Sequence, residues 1–87
     1  MPLKTVVIPW FDANDLQGLF LPMFVLYFNP KDFPDKYVVR MFDVDRPTSF
    51  VTVRDTEETA IGTIPRPNRA RLERSPGDDP KIVAVFL

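Results

Sequence analysis

FVLYFNPKDFPDKYVVRMFDV, residues 24–44, reads as two strands around one turn, and that reading decides the fold. Phe24–Phe28 is a run of aromatic and branched side chains suited to a pleated surface. Pro22 and Pro30 bracket it, because proline cannot donate to a ladder. NPKDFPDK, residues 29–36, is a dense turn signal in which Asn-Pro and Phe-Pro both disfavour helix. Tyr37–Val44 then sets Tyr37, Val39, Met41 and Asp43 on one face and Val38, Arg40, Phe42 and Val44 on the other. Both faces are largely apolar, which predicts a central strand covered on both sides.

Upstream, Leu3–Ile8 (LKTVVI) is rich in β-branched residues and stops at Pro9, as a short first strand would. Asp12–Gly18 reads as a loop or a single helical turn. Downstream, Asp45–Ser49 (DRPTS) is a turn, and Phe50–Arg54 (FVTVR) alternates as a strand wet on one side, with Val51 and Val53 facing inward. Asp55 fits a helix N-cap, with Glu58 at capping-box spacing and Glu57 favourable to the positive helix end. The helix is predicted over Thr56–Ile64, closed by Pro65, with Ala60, Ile61 and Ile64 as its apolar stripe and Gly62 weakening it by about 1 kcal/mol. Residues 65–80 read as irregular and Lys81–Leu87 as a last strand. The order β-β-β-β-α-β predicts a single α+β domain over residues 1–87: a mainly antiparallel four- to five-stranded sheet with one short helix on one face. A right-handed crossover through the helix would set the last strand parallel to Phe50–Arg54.

The chain of 87 residues contains no histidine and no cysteine. That removes the imidazole acid–base group, the thiol nucleophile and the commonest metal ligands. No cofactor is implied, and no Gly-rich phosphate cradle exists, since Gly18, Gly62 and Gly77 are scattered. A core of this size supplies roughly 3–5 kcal/mol, a margin that a bound partner or a homodimer would widen. The formal net charge of −1 argues against a strongly basic nucleic-acid binder or a polybasic membrane protein. No segment reads as a signal peptide, and the apolar stretch Leu16–Phe28 is interrupted by Gln17, Gly18 and Pro22. It falls short of the roughly 20 residues a spanning helix needs. The expectation is a soluble, cytoplasmic protein without membrane contact.

Asp43 and Asp45 form an Asp-x-Asp pair that could hold a hard cation, but Arg46-Pro47-Thr48 adds no ligand at EF-hand spacing. Asp12, Asp15, Asp32, Asp35, Asp78 and Asp79 lie in turn-rich stretches, where local backbone hydrogen bonding explains them without catalysis. Arg66, Arg69, Arg71 and Arg74 make a basic stretch offset only by Glu73; they suit acidic groups of a protein partner, phosphates, or this chain's own carboxylates. Arg40, in a largely apolar strand face, calls for a carboxylate or for a face exposed to a partner, and an Asp or Glu of the same fold is the first expectation. Trp10, Phe11, Leu19, Phe20, Leu21 and Met23 form an apolar cluster that reads first as core and second as a contact patch. Ser49 and Ser75 lack any activating base.

Three segments, FNPKDFPDKYVVR, TEETAIGTIP and RLERSPGDDPKIVAVFL, resemble a family of short, uncharacterised bacterial and phage-borne proteins over about two-thirds of the chain. Its pattern opens F-N-P-x-D-[FY]-P-x-x-Y-V-V-R, continues T-[LV]-E-E-A-R-x-x-I-P and closes D-D-P-x-I-V-E-x-W. This chain departs from it where Thr59 and Ala60 replace Ala-Arg, and where Ala84 and Phe86 take the Glu and Trp positions. The resemblance implies a bacterial or mobile-element origin and no particular chemistry.

The expected function is a small non-enzymatic protein-binding domain whose contact residues are Arg66, Arg69, Arg71, Arg74, Trp10, Phe11 and Phe20. By analogy, one concrete form is a phage- or mobile-element-encoded inhibitor or regulator of a host complex, of the anti-CRISPR kind. The alternative is a nucleic-acid-binding accessory protein using the Arg66–Arg74 loop. An enzyme built on carboxylates would need two acids converging in a cleft.

Overall fold

The computed structural model describes residues 5–12 and 14–87. Its strands are β1 (Val6–Val7), β2 (Pro22–Phe28), β3 (Tyr37–Asp43) and β4 (Arg46–Arg54). A helix α1 (Glu57–Ile61) follows, then a single 3₁₀ turn over Arg66–Asn68, β5 (Arg71–Glu73) and β6 (Ile82–Phe86). The hairpin of β2 and β3 forms in full register, from Pro22 opposite Asp43 to Phe28 opposite Tyr37. Asn29 closes its loop: its Oδ1 accepts from the Asp35 N–H at 2.8 Å and its own N–H donates to the Lys36 carbonyl at 2.8 Å. Asn29 and Asp35 both take positive φ, the conformation that Asn and Asp tolerate best after glycine.

The sheet is mixed and has six strands, in the order β1-β4-β3-β2-β6-β5, where a mainly antiparallel sheet of four or five was expected. The α+β class holds, with one short helix on a sheet that supplies most of the structure. β1 runs parallel to β4, and its Leu3 and Lys4 extension lies outside the described residues. β6 does not join β4; it lies antiparallel beside β2, so the expected parallel crossover is replaced by a longer return across the sheet. The sixth strand, β5, comes from the stretch read as irregular. Its charges hide the reason it pairs: the Arg71 guanidinium lies 5.7 Å from the Phe86 ring centroid and bonds Glu73 at 2.8 Å.

β4 also begins earlier than expected, leaving Val44–Asp45 alone as the turn. Arg46 and Pro47 pair with Asp43 and Phe42 where the register shifts. A proline without an N–H is tolerated at such an irregularity, and the Thr48 hydroxyl restores a bond by donating to the Met41 carbonyl at 2.7 Å. The face of β4 expected to be wet is buried at Thr52, whose hydroxyl meets that of Thr63 at 2.7 Å beneath the helix.

Helix α1 is capped by Thr56 rather than Asp55. Thr56 is extended and its side chain accepts from the Thr59 N–H at 3.2 Å. Asp55 is taken instead by Lys36, which the pairing of Tyr37 with Arg54 brings opposite it. That hydrogen bond and the ammonium charge hold the Asp55 carboxyl below the usual carboxylate range. The helix tightens after Ile61 into bonds from the Thr63 and Ile64 N–H groups to Ala60 and Ile61, so it ends short of the predicted Ile64.

Phe24, Leu26, Val39, Met41, Ala84 and Phe86 bury one sheet face against Ala60 and Ile64, and Phe11 joins them with its ring centroid 5.0 Å from that of Phe24. On the other face Arg40 stands between Val25 and Val51. Its expected carboxylate partner is not there: among the described residues its guanidinium bonds the Thr48 carbonyl at 2.7 Å and the Thr5 hydroxyl at 3.2 Å. No helix of the described residues is long and apolar enough to cross a membrane.

Candidate functional site

The apolar segment upstream of β2 divides. Phe11 is only 4% exposed and belongs to the core, so its ring is not available as a contact residue. Leu16 and Leu19 pack beside it. Trp10 stays 59% exposed, and the bond from the Phe11 N–H to the Thr63 carbonyl at 3.1 Å anchors it beside the end of α1. Phe20 is 93% exposed.

Most of the four arginines are occupied within the fold. Arg69 caps the end of α1 through Nε to the Ile64 carbonyl at 2.9 Å and Nη2 to the Gly62 carbonyl at 3.2 Å. This puts Arg69 and Trp10 at the same helix end. Arg71 pairs with Glu73 and, at 3.7 Å, with Glu57. Arg74 reaches the Asp78 carbonyl at 3.4 Å across a turn that Asp78 itself closes on the Ser75 N–H. Arg66, at the start of the 3₁₀ turn, is exposed and has no hydrogen bond or ion pair among the described residues.

Phe20 belongs to a different place, the end of the sheet where β2 begins and β3 turns into β4. There the Asp43 carboxylate accepts from the Phe20 and Leu21 N–H groups, each at 2.9 Å, and the Leu21 carbonyl accepts from the Val44 N–H at 2.8 Å. These bonds tie the Phe20–Leu21 segment to the hairpin turn and present Phe20, Leu21 and Val44 together to solvent. A cleft of about 390 Å³ opens between Phe20, Asp43, Val44, Asp45 and Arg46. Asp43, which the Asp-x-Asp spacing offered as a cation ligand, spends a carboxylate oxygen on backbone donors. Among the described residues four other turn carboxylates act likewise: Asp12 accepts from Asn14 and Asp15, Asp15 from Asp12, Asp78 from Ser75 and Asp79 from Lys81, whereas those of Asp32 and Asp35 accept no such bond.

Asp43, Val44 and Arg46 were missing from the expected contact set, and Leu21 entered it only as part of the apolar cluster. No local signal marked them: the sequence reads Val44 as strand, and only the structure sets it at the first position of a two-residue hairpin turn, where glycine or asparagine is favoured. Val44 has φ 60°, a left-handed backbone that is an outlier for a β-branched residue. The arrangement offers a firmly held apolar knuckle flanked by charges of both signs. Such a surface can exclude water against a matching partner. No protein-family profile, curated protein or solved structure matches this chain.

Proposed function

We propose that this chain is a non-enzymatic protein-binding domain whose contact centre is the knuckle of Phe20, Leu21 and Val44. The observation that carries the reading is Phe20: its ring is almost wholly in water although its backbone is held at 2.9 Å by Asp43. Burying a phenylalanine side chain stabilises by roughly 1.5–3 kcal/mol, and aromatic anchors of this kind concentrate the energy of protein interfaces. A rigid display lowers the ordering cost of binding. Trp10 and Arg66, exposed near the end of α1, form a second and smaller area of the same kind of surface. The finer form is an inhibitor or regulator of a host complex encoded by a phage or mobile element, of the anti-CRISPR type; it rests on size and on the family resemblance.

The nucleic-acid alternative is less well supported, because Arg69, Arg71 and Arg74 are held by the chain's own carbonyls and carboxylates. The test compares the wild type with Phe20→Ala as bait in a bacterial lysate. A protein recovered by the wild type and lost roughly ten- to hundredfold with Phe20→Ala is the expected result. Recovery of self-association alone, or equal recovery by both baits, would sink the reading. Titration with DNA and RNA at two salt concentrations separates the alternative, which demands a steep fall in affinity as salt rises.

A further inference from the structure

We propose that the pocket between the β2–β3 loop and the sheet binds a small monocarboxylate with a single-ring apolar body, its carboxylate on Arg40. The pocket holds about 170 Å³ and is lined by Tyr27, Pro30, Asp32, Phe33, Val38 and Arg40. It lies at the opposite end of β2 from Phe20, on the sheet face away from α1, so it is separate from the proposed protein contact.

Arg40 is the reason for the charge assignment. It is partly buried, and among the described residues both of its hydrogen bonds go to uncharged oxygens, with no carboxylate in ion-pair distance. A guanidinium taken out of water ordinarily has a charged partner. With five donors in a planar fork, Arg40 keeps N–H groups that its two bonds to Thr48 and Thr5 leave over, and a carboxylate matches them in pairs. Burial pushes the Tyr27 hydroxyl above its ordinary pKa, against the opposing pull of Arg40, so it stays a neutral donor at neutral pH.

Size and wall chemistry specify the rest. A dry cavity of about 150 Å³ accepts benzene, so this volume suits one ring. Phe33, Pro30 and Val38 give the ring apolar walls. Asp32, also lining the pocket, repels negative charge, a dianion more than a monoanion, as does Asp79, whose field reaches Tyr27. A monoanion is thereby preferred over phosphate.

The test titrates benzoate, benzamide and inorganic phosphate into the full chain and follows backbone amide and arginine side-chain resonances. Benzoate is expected to give saturable shifts centred on Tyr27, Phe33, Val38 and Arg40, with benzamide at least tenfold weaker and phosphate without saturation. Asp32→Asn should tighten benzoate several-fold, and Arg40→Gln should weaken it at least tenfold while the amide spectrum stays dispersed. If Arg40→Gln does not fold, Phe33→Ala, at the loop, carries the same expectation. Equal affinity for benzoate and benzamide, or benzoate binding unchanged in Phe33→Ala, would overturn the proposal.

Discussion

Val44 combines a β-branched side chain with φ 60° in a turn that has room for glycine. A left-handed backbone costs an ordinary residue roughly 1–2 kcal/mol, whereas a glycine there would cost about 0.4–1 kcal/mol in unfolded-chain freedom. Val44→Gly should therefore raise stability by up to ~1 kcal/mol and the melting midpoint by a few degrees, read by thermal and urea unfolding. The same change should weaken partner capture, because it removes one of the three apolar groups of the knuckle. A gain in stability at the expense of binding is the pattern expected where strain is kept for contact. No loss of binding in a stabilised Val44→Gly would show the strain to be unrelated to function. Nothing in the letters DVDR announces this conformation, since valine there speaks for strand, not turn.

Helix α1 is five residues long and would not form alone. The buried hydroxyl pair beneath it shows how it is fastened to β4. Among the described residues Thr63 Oγ1 has two partners, Thr52 Oγ1 and the Ala60 carbonyl, each at 2.7 Å, while Thr52 Oγ1 has Thr63 alone. Thr63→Val therefore leaves a buried hydroxyl unpaired and should cost roughly 1–3 kcal/mol. Thr52→Val leaves Thr63 satisfied and should cost about half as much or less, with urea midpoints deciding the order. Across the ends of β3 and β4, the Lys36–Asp55 pair gives a pH-dependent tie. Asp55 is depressed in the folded chain, so its contribution is complete above the ordinary aspartate range and fades as pH falls through the lowered folded value. A carboxyl-detected NMR titration of Asp55 should move back towards the ordinary midpoint in Lys36→Gln. The strands of the β2–β3 hairpin were legible because both are apolar runs around prolines; β5 was not, because a three-residue edge strand of Arg-Leu-Glu has no apolar run.

With a core this small, single large side chains carry much of the total. Phe24 is fully buried at the centre of the sheet, touching Phe11 and lying opposite Phe86 and Met41. Phe24→Ala should cost roughly 3–5 kcal/mol, about the whole stability available to a domain of this length. Loss of amide dispersion at 25 °C is the expected result, and a cooperative melt retained above 40 °C would contradict it. By contrast, Phe20 is exposed and its truncation should leave the melt unchanged within ~0.5 kcal/mol. The two phenylalanines, four residues apart, separate packing from contact.

Apart from β5, the order of strands and helix along the chain, the interior place of β3 and the α+β class follow from local patterns: apolar runs, prolines at their ends and a polar turn between them. Those patterns act over a few residues and are complete within them. Strand order, the parallel pairing of β1 with β4, and the return of β6 to β2 depend on contacts between residues far apart in the chain. The division of one apolar segment into a buried Phe11 and an exposed Phe20 is of the same kind, because burial is a property of what packs against a side chain. Arg40 makes the point for charge. Its letter required an acceptor, but only the folded chain showed two neutral oxygens beside it and an open pocket that its side chain lines.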